Sequence, residues 1–254
     1  MTGAASSPGP SAAFATNLSS ALAGELRHLA VILDGNRRWA ALRGLPSSAG
    51  HVEGSRRVMD LLHWCEDIES LEVLTLWPLS KQNLARSREE LSQLLGVIVK
   101  TVAKISRTQH WRIHYMGDLE CLPSDVTDLL LSHSGATSHL GKPVLNLAIA
   151  YSGRDEITRA VQRLLARRRA QGATTELASR ISAAGISRYL DTAGQPDPDL
   201  VIRTSGERRL SDFMPWQTAH SELYFTSAYW PDFSREDLCT ALRSFENRER
   251  RYGR

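Results

Sequence analysis

Asp34-Gly35-Asn36-Arg37-Arg38-Trp39 places a carboxylate, a glycine and two arginines side by side, directly after the apolar run His28-Leu-Ala-Val-Ile-Leu33. That combination suits a phosphate held through Mg²⁺. The glycine lets the backbone approach a ligand. The amides that open the next helix carry about half a positive charge. The arginines offer forked donors to phosphate oxygens. On this segment alone a second reading stays open, in which Asp34 caps a helix and the arginines are solvated. A second cluster, Arg203-Thr-Ser-Gly-Glu207-Arg208-Arg209-Leu210-Ser211, follows the apolar Leu200-Val-Ile202 and reads as a second anion site. An Arg-rich surface loop is the alternative, although the turn Pro196-Asp-Pro-Asp199 makes a rigid lead-in. A third cluster holds Ser80, Lys81, Gln82, Asn83 and Arg86. Asn83 or Ser87 can cap a helix there, with Glu90 completing a capping box after Ser87. That accounts for Ser87 and Glu90, but not for Ser80, Asn83 and Arg86 gathering in one place.

These clusters need a frame, and the hydrophobic pattern supplies one. Apolar runs suited to buried strands occur at His28–Asp34, Leu71–Trp77, Val144–Ala150, Asp199–Arg203 and Leu223–Thr226, and an alternating one at Trp111–Met116. Between them lie helical periodicities. Leu91, Leu94, Leu95, Ile98, Val102 and Ile105 fall on one face of Glu89–Ile105, and Ile157, Ala160, Val161 and Leu164 on one face of Asp155–Arg169. Ser234 can cap a last helix with Glu236 and Asp237 in its first turn. Strands alternating with helices predict an α/β fold: a single domain with a central, largely parallel sheet flanked by helices. Ligands in such sheets bind outside the carboxyl ends of the strands. Asp34, the Ser80–Asn83 segment, Tyr151–Arg154 and Arg203–Glu207 would therefore converge on one edge.

Composition narrows the classes. At roughly 150 residues per domain, 254 residues fit one large α/β domain as well as two small ones. Residues 1–24, rich in Ala, Ser, Gly and Pro, cannot bury enough apolar surface to order themselves and read as a disordered tail, leaving 25–254 as the domain. A net charge of +3 is too small to argue for nucleic acid. Arg163 and Arg167–Arg169 read as a solvated helix face, and acidic neighbours dilute the basic Arg248–Arg254 end, so no nucleic-acid partner is expected. Cys65, Cys121 and Cys239 lie far apart, without metal-ligand spacing, which favours a reducing cytoplasm. No apolar run reaches the ~20 residues of a membrane span, and no secretory leader is evident. A phosphatase that attacks from its first Asp wants a second acid two positions on, where Asn36 stands. G-x-G-x-x-G after the first strand, a serine nucleophile elbow and H-E-x-x-H are all missing.

The motifs taken together resemble one family. They are D-G-N-R-R-W-A at Asp34–Ala40, G-H-x-x-G at Gly50–Gly54, S-x-x-N-x-x-R at Ser80–Arg86, N-L-A-x-x-Y-S-G-R at Asn146–Arg154, D-P-D-L-V-I-R-T-S-G-E at Asp197–Glu207, W-Q-x-x-x-S-E-L-Y-F at Trp216–Phe225 and W-P-D-F at Trp230–Phe233. In this order, from Leu26 to the C-terminus, they are similar to the cis-prenyltransferases, the undecaprenyl diphosphate synthase-like isoprenyl transferases. The resemblance implies a dimeric α/β enzyme that condenses isopentenyl diphosphate onto an allylic diphosphate with Mg²⁺ and makes each new double bond cis. It makes Asp34 the essential Mg²⁺ and diphosphate carboxylate, with Glu222 as a second metal residue. Gly35, Asn36, Arg37, Arg38, Trp39 and His51 would line the allylic diphosphate site. Arg203, Arg209, Leu210 and Ser211 would hold isopentenyl diphosphate. Asn83, with Ser80, would lie near the departing proton, and Lys81, Gln82, Leu84 and Arg86 would contact substrate. Arg251 and Gly253 look like an R-x-G element that completes the isopentenyl site across a homodimer.

The chain also departs from long-chain members. An arginine those enzymes carry shortly before G-H is replaced by Ser47, with Arg43 the nearest substitute. Trp77-Pro78-Leu79 stands where they have an aromatic, a small residue and a Phe. Gln82 replaces a Glu, Leu84 a Trp, and Arg208 stands where some members have His. The prenyl tail needs an apolar tunnel, and the Leu91–Ile105 face could line it or simply pack in the core. Each buried CH₂ contributes about 0.8 kcal/mol, so a tunnel blocked early by Trp77-Pro78-Leu79 selects short products of about C10 to C20. Two alternatives stay open within the family: head-to-middle joining of dimethylallyl diphosphate, and a non-catalytic subunit, against which Asp34, Asn83, Arg203, Arg209 and Glu222 all argue. An oily product also suggests a peripheral membrane contact.

Overall fold

The computed structural model describes residues 26–141, 143–170 and 181–247. The expected tail over residues 1–24 and the expected R-x-G element at Arg251 and Gly253 lie outside them. Six strands form one sheet: β1 His28–Ile32, β2 Val73–Ser80, β3 Arg112–Met116, β4 Val144–Tyr151, β5 Leu200–Arg203 and β6 Glu222–Phe225. Their order is β3-β4-β2-β1-β5-β6, and every neighbouring pair is parallel. The helices that position the site are α1 Asn36–Ala41, α2 Ser47–Cys65, α3 Arg88–Thr108, α4 Ser124–Thr137, α5 Gly153–Ala170, the short α6 Ala183–Ser187, and α7 Arg235–Glu246. A 3₁₀ turn, Lys81–Ala85, joins β2 to α3.

The expected parallel α/β sheet is thus present, and its strands fall on the apolar runs. β1 and β4 are buried along their whole length, which is why they read as continuous apolar stretches rather than alternating ones. β2 runs further than its apolar segment suggested, through Pro78 to Ser80. Pro78 has no N–H to give, and the register against β4 shifts between Leu76 and Leu79. A bulge absorbs the missing donor and lets the strand continue. One face of the sheet carries the main core, built with α2, α3 and α7. The other carries a smaller cluster around Met116, Tyr151, Phe213 and Met214. A polar seam crosses the interior near the amino end of β1. There His28 contacts the Pro196 carbonyl and the Thr75 hydroxyl, both at 2.7 Å, and Asn146 donates to Thr75 and Gln195. Among the described residues no helix is long and apolar enough to cross a membrane.

The chain leaves β1 toward β2 on one side and returns as β5 on the other. The carboxyl ends of β1 and β5 therefore flank the crevice where α/β sheets take ligands.

Candidate active site

Asp34 lies just beyond β1, and Arg203 ends β5 opposite Ile32. Arg203 Nη2 meets Asp34 Oδ2 at 2.9 Å, and Arg38 Nη2 meets Oδ1 at 3.0 Å, one helical turn along α1. The Thr204 hydroxyl accepts the Asp34 amide at 3.0 Å and donates to the Asp34 carbonyl at 2.6 Å, so the aspartate backbone is pinned as well. Burial opposes ionisation of Asp34, but hydrogen bonds from Arg203 and Ser205 and the charges of Arg203 and Arg38 outweigh it. They hold its carboxyl below the usual range. Gly35 has φ +109°, and a Cβ there would sit 2.6 Å from the Tyr229 ring. Arg203 also donates to the Ser211 hydroxyl at 2.9 Å and to the Arg209 carbonyl.

The G-H-x-x-G motif works by contact. A Cβ at Gly50 would lie 2.1 Å from the Asn36 carbonyl oxygen, and one at Gly54 would lie 2.1 Å from Asn36 Oδ1. Two glycines one turn apart thus let α2 press directly on the start of α1. Between them His51 is buried, and its Nε2 has no hydrogen-bond partner. Desolvation, helped by the charges of Arg86 and Arg37, pulls its pKa down to about 4, so the ring is neutral near pH 7. Glu90 gathers this side of the site. Its Oε1 lies 3.3 Å from Arg37 Nε, 3.2 Å from Arg86 Nη1 and 3.9 Å from His51 Nε2. Glu207 does the same opposite, 3.1 Å from Arg38 and 2.5 Å from Arg209.

A cavity of about 690 Å³ opens below these groups. Asp34, Gly35, Asn36, Arg37, Arg38, His51, Ser80, Asn83, Arg86, Arg203 and Ser211 line its polar part. Its apolar wall comes from α3 through Leu94, Ile98, Val102 and Ile105, faced by Val58, Leu76, Leu147 and Trp230. The helical stripe therefore splits: these four residues face the cavity, while Leu91 and Leu95 pack in the core without lining it. Trp77 and Pro78 line the cavity too, whereas Leu79 is buried in the core.

Other expected site residues fall elsewhere. Lys81 pairs with Asp155 at 2.7 Å and Asp118 at 3.3 Å, Gln82 is exposed, and Leu84 packs on the core; none lines the cavity. The Trp39 indole donates to Asp232 at 2.6 Å, and Leu210 packs with the smaller cluster. Arg43 does not take the place vacated at Ser47. It binds Asp232 at 3.1 Å and stacks over Trp39 at 4.2 Å, while Ser47 lines the cavity. Glu222 is not brought to Asp34 within one chain. It begins β6 level with Leu200 and Leu29, and strands rise about 3.3 Å per residue, so it stands at the opposite end of the sheet. Glu90 and Glu207 were not singled out as anion-site partners. The capping-box reading of Glu90 concealed its reach toward Arg37, a contact between distant segments that spacing does not encode.

Among the described residues no group of three or more His, Cys, Asp or Glu could hold a metal unaided. Mg²⁺ does not need one, since it keeps several waters and binds through one or two carboxylates plus substrate phosphates. A single carboxylate, Asp34, facing a ring of phosphate donors fits an ion that arrives with a diphosphate.

Comparison with known proteins agrees with this chemistry. A sequence profile of the family described as "Putative undecaprenyl diphosphate synthase" matches residues 32–253. The chain is 46% identical over 229 residues to the (2Z,6E)-farnesyl diphosphate synthase of Thermobifida fusca, covering 89% of each chain. It is 43% identical over 231 residues to the short-chain Z-isoprenyl diphosphate synthase of Mycobacterium bovis, covering 90% of this chain and 88% of the other. Among solved structures it resembles lavandulyl diphosphate synthase from Lavandula x intermedia in complex with dimethylallyl diphosphate. There the TM-score is 0.84 at 31% identity, over 91% of this chain and 99% of that one.

Proposed function

The chain belongs to the undecaprenyl diphosphate synthase family of isoprenyl transferases, and from that premise we propose that it condenses isopentenyl diphosphate with an allylic diphosphate, using Mg²⁺, to give a short-chain Z-prenyl diphosphate. The observation that carries the reading is the ring of phosphate donors at the mouth of an apolar cavity. Arg37, Arg38 and Arg86, with the amides that open α1, receive the allylic diphosphate and stabilise the charge that grows on it as the C–O bond breaks. Arg203 and Ser211 hold isopentenyl diphosphate beside it, so that its double bond meets the allylic carbon as a neighbour rather than by collision. Mg²⁺, held by Asp34 and the phosphates, supplies Lewis-acid stabilisation of the leaving group. A proton must then leave C2. Asn83 lines the cavity, and its amide is too weak a base to take that proton. It instead orients a phosphate oxygen or water that does.

The tail lies along α3. From Leu94 to Ile105 the helix rises about 16 Å at 1.5 Å per residue. An extended chain advances roughly 1.2 Å per bond, so about three five-carbon units fit that length. This is the length named for the Thermobifida fusca relative. Residues 25–254 act as one catalytic domain in the cytoplasm. The enzyme works as a homodimer in which Arg251 and Gly253 complete the isopentenyl site, and Glu222 can reach a metal only from a second copy. A peripheral contact with membrane would follow from the oily product.

Head-to-middle joining is the second reading, favoured by the likeness to lavandulyl diphosphate synthase. Incubation with Mg²⁺, isopentenyl diphosphate and allylic primers of increasing length, followed by analysis of product length and double-bond geometry, decides. A linear Z product supports the proposal. A branched product from dimethylallyl diphosphate alone supports the second reading, and no product from a folded protein refutes both.

A further inference from the structure

The turn that carries Ser211 adopts a backbone that L-residues avoid. φ is +51° at Ser211, +75° at Asp212 and +49° at Met214, and none of them is a glycine. Such conformations persist only where the surroundings over-determine them, and they gather at functional sites. Here the surroundings can be named. Asp212 Oδ1 accepts the Arg154 amide at 3.0 Å, its Oδ2 accepts the Ser152 hydroxyl at 2.7 Å, and its carbonyl accepts the Gly153 amide at 3.0 Å. The aspartate thus caps α5 from outside the helix, taking up amides that have no partner within it. The contact is close because residue 153 is glycine: a Cβ there would lie 2.1 Å from the Pro215 ring and 2.7 Å from the Asp212 carbonyl oxygen. On the other side of the turn Phe213 is buried and stacks on Trp77 at 5.0 Å with the rings 15° apart. The turn is therefore fastened at Asp212 and at Phe213, and between those anchors and Arg203 it presents the Ser211 hydroxyl, 2.9 Å from the Arg203 guanidinium.

We propose that Asp212 is a positioning residue for isopentenyl diphosphate: by fastening the strained turn to the start of α5 it sets where the Ser211 hydroxyl and the Arg203 guanidinium meet the phosphates. The inference rests on the prenyl condensation proposed above. It gives the Tyr151-Ser-Gly-Arg154 motif a function at a distance, since Ser152, Gly153 and the Arg154 amide act through Asp212.

Three substitutions separate the clamp from the strain. Asp212→Asn keeps an oxygen acceptor and tolerates positive φ. Asp212→Gly relieves the φ but removes the clamp, and Asp212→Ala does neither favourably. Losing charge-assisted bonds at this level should raise KM for isopentenyl diphosphate roughly tenfold or more in the Gly and Ala variants, leaving KM for the allylic substrate within about twofold. The Asn variant, neutral but still able to accept the Arg154 amide, should fall between wild type and these. A Gly variant equal to wild type would overturn the proposal, because strain rather than the clamp would then be at issue. Equal rises in both KM values would overturn it as well. Thermal melts check folding. If Ala and Gly do not melt cooperatively, Ser152→Ala, which removes the bond to Asp212 and a longer one from the Asp155 amide, must still raise KM for isopentenyl diphosphate alone, and failure to do so refutes the idea. Calorimetric binding of isopentenyl diphosphate to the same variants reads Asp212 without turnover. A wild-type protein that makes no product therefore refutes the proposed function, while the binding series still decides the role of Asp212.

Discussion

Substituting Val102 by Phe tests whether the α3 wall measures the product. Val102 is buried, faces the cavity, and lies between Ile98 and Ile105 on the side away from the polar mouth. A benzyl group there closes the stretch between residues 102 and 105, about 4.5 Å of helix rise. That is close to the roughly 5 Å spanned by the four main-chain bonds of one prenyl unit. A unit denied this space forgoes burial of five carbons at about 0.8 kcal/mol each, or about 4 kcal/mol, which corresponds to roughly a thousandfold in partition between adjacent lengths. The main product should therefore become one five-carbon unit shorter. KM for both diphosphates should hold, because the mouth is untouched. Reversed-phase separation of dephosphorylated products reads the length. The reasoning fails if the length is unchanged in a folded variant, or if the product lengthens. The converse change, Ile105→Ala, should admit a longer tail at a cost to stability of about 2–5 kcal/mol.

Asp34→Asn should lower kcat by roughly a hundredfold or more, because the metal-facing charge is lost while Arg203 keeps an acceptor; single-turnover kinetics with saturating Mg²⁺ checks this, and near-normal turnover contradicts the assigned role. Gly54→Ala should destabilise the fold by about 1–3 kcal/mol, the usual cost of overpacking, since its Cβ would sit 2.1 Å from Asn36 Oδ1; a denaturant titration reads the loss, and KM for the allylic substrate should rise with it. Acid should destabilise the protein through His28 and His51, whose pKa values burial pulls down from 6.5 to about 4. Between those values the unfolded chain binds protons that the folded one does not, so stability is full above about pH 6.5 and falls toward pH 4, by about 2 kcal/mol per histidine at pH 5. Urea midpoints at pH 7.5 and 5 measure this, and His28→Gln should flatten part of the slope.

The frame was readable because buried parallel strands are short apolar runs, and because the charged clusters sit where those runs stop. That Asp34 and Arg203 share one sheet edge follows on that ground, but their direct ion pair depends on β5 lying beside β1. Other features depend on three-dimensional adjacency. Gly50 and Gly54 are visible as a motif, but that they admit Asn36 follows only from the approach of α2 to α1. Arg43 is near enough in sequence to replace a missing arginine, but Asp232, far along the chain, holds it. Glu222 begins its strand level with Leu29, and its distance from Asp34 within one chain is legible only from the register. Pro78 would ordinarily end a strand, and the bulge that rescues it has no separate sequence mark. The Leu91–Ile105 stripe satisfied both the core and the tunnel reading because α3 serves both.

Glu90 and Glu207 bear on the field of the site as well as on its architecture. Glu90 stands beside Arg37 and Arg86, and Glu207 beside Arg38 and Arg209. The mouth therefore carries less net positive charge than its arginines alone would give it, and the protein's own carboxylates moderate the attraction it exerts on an anion.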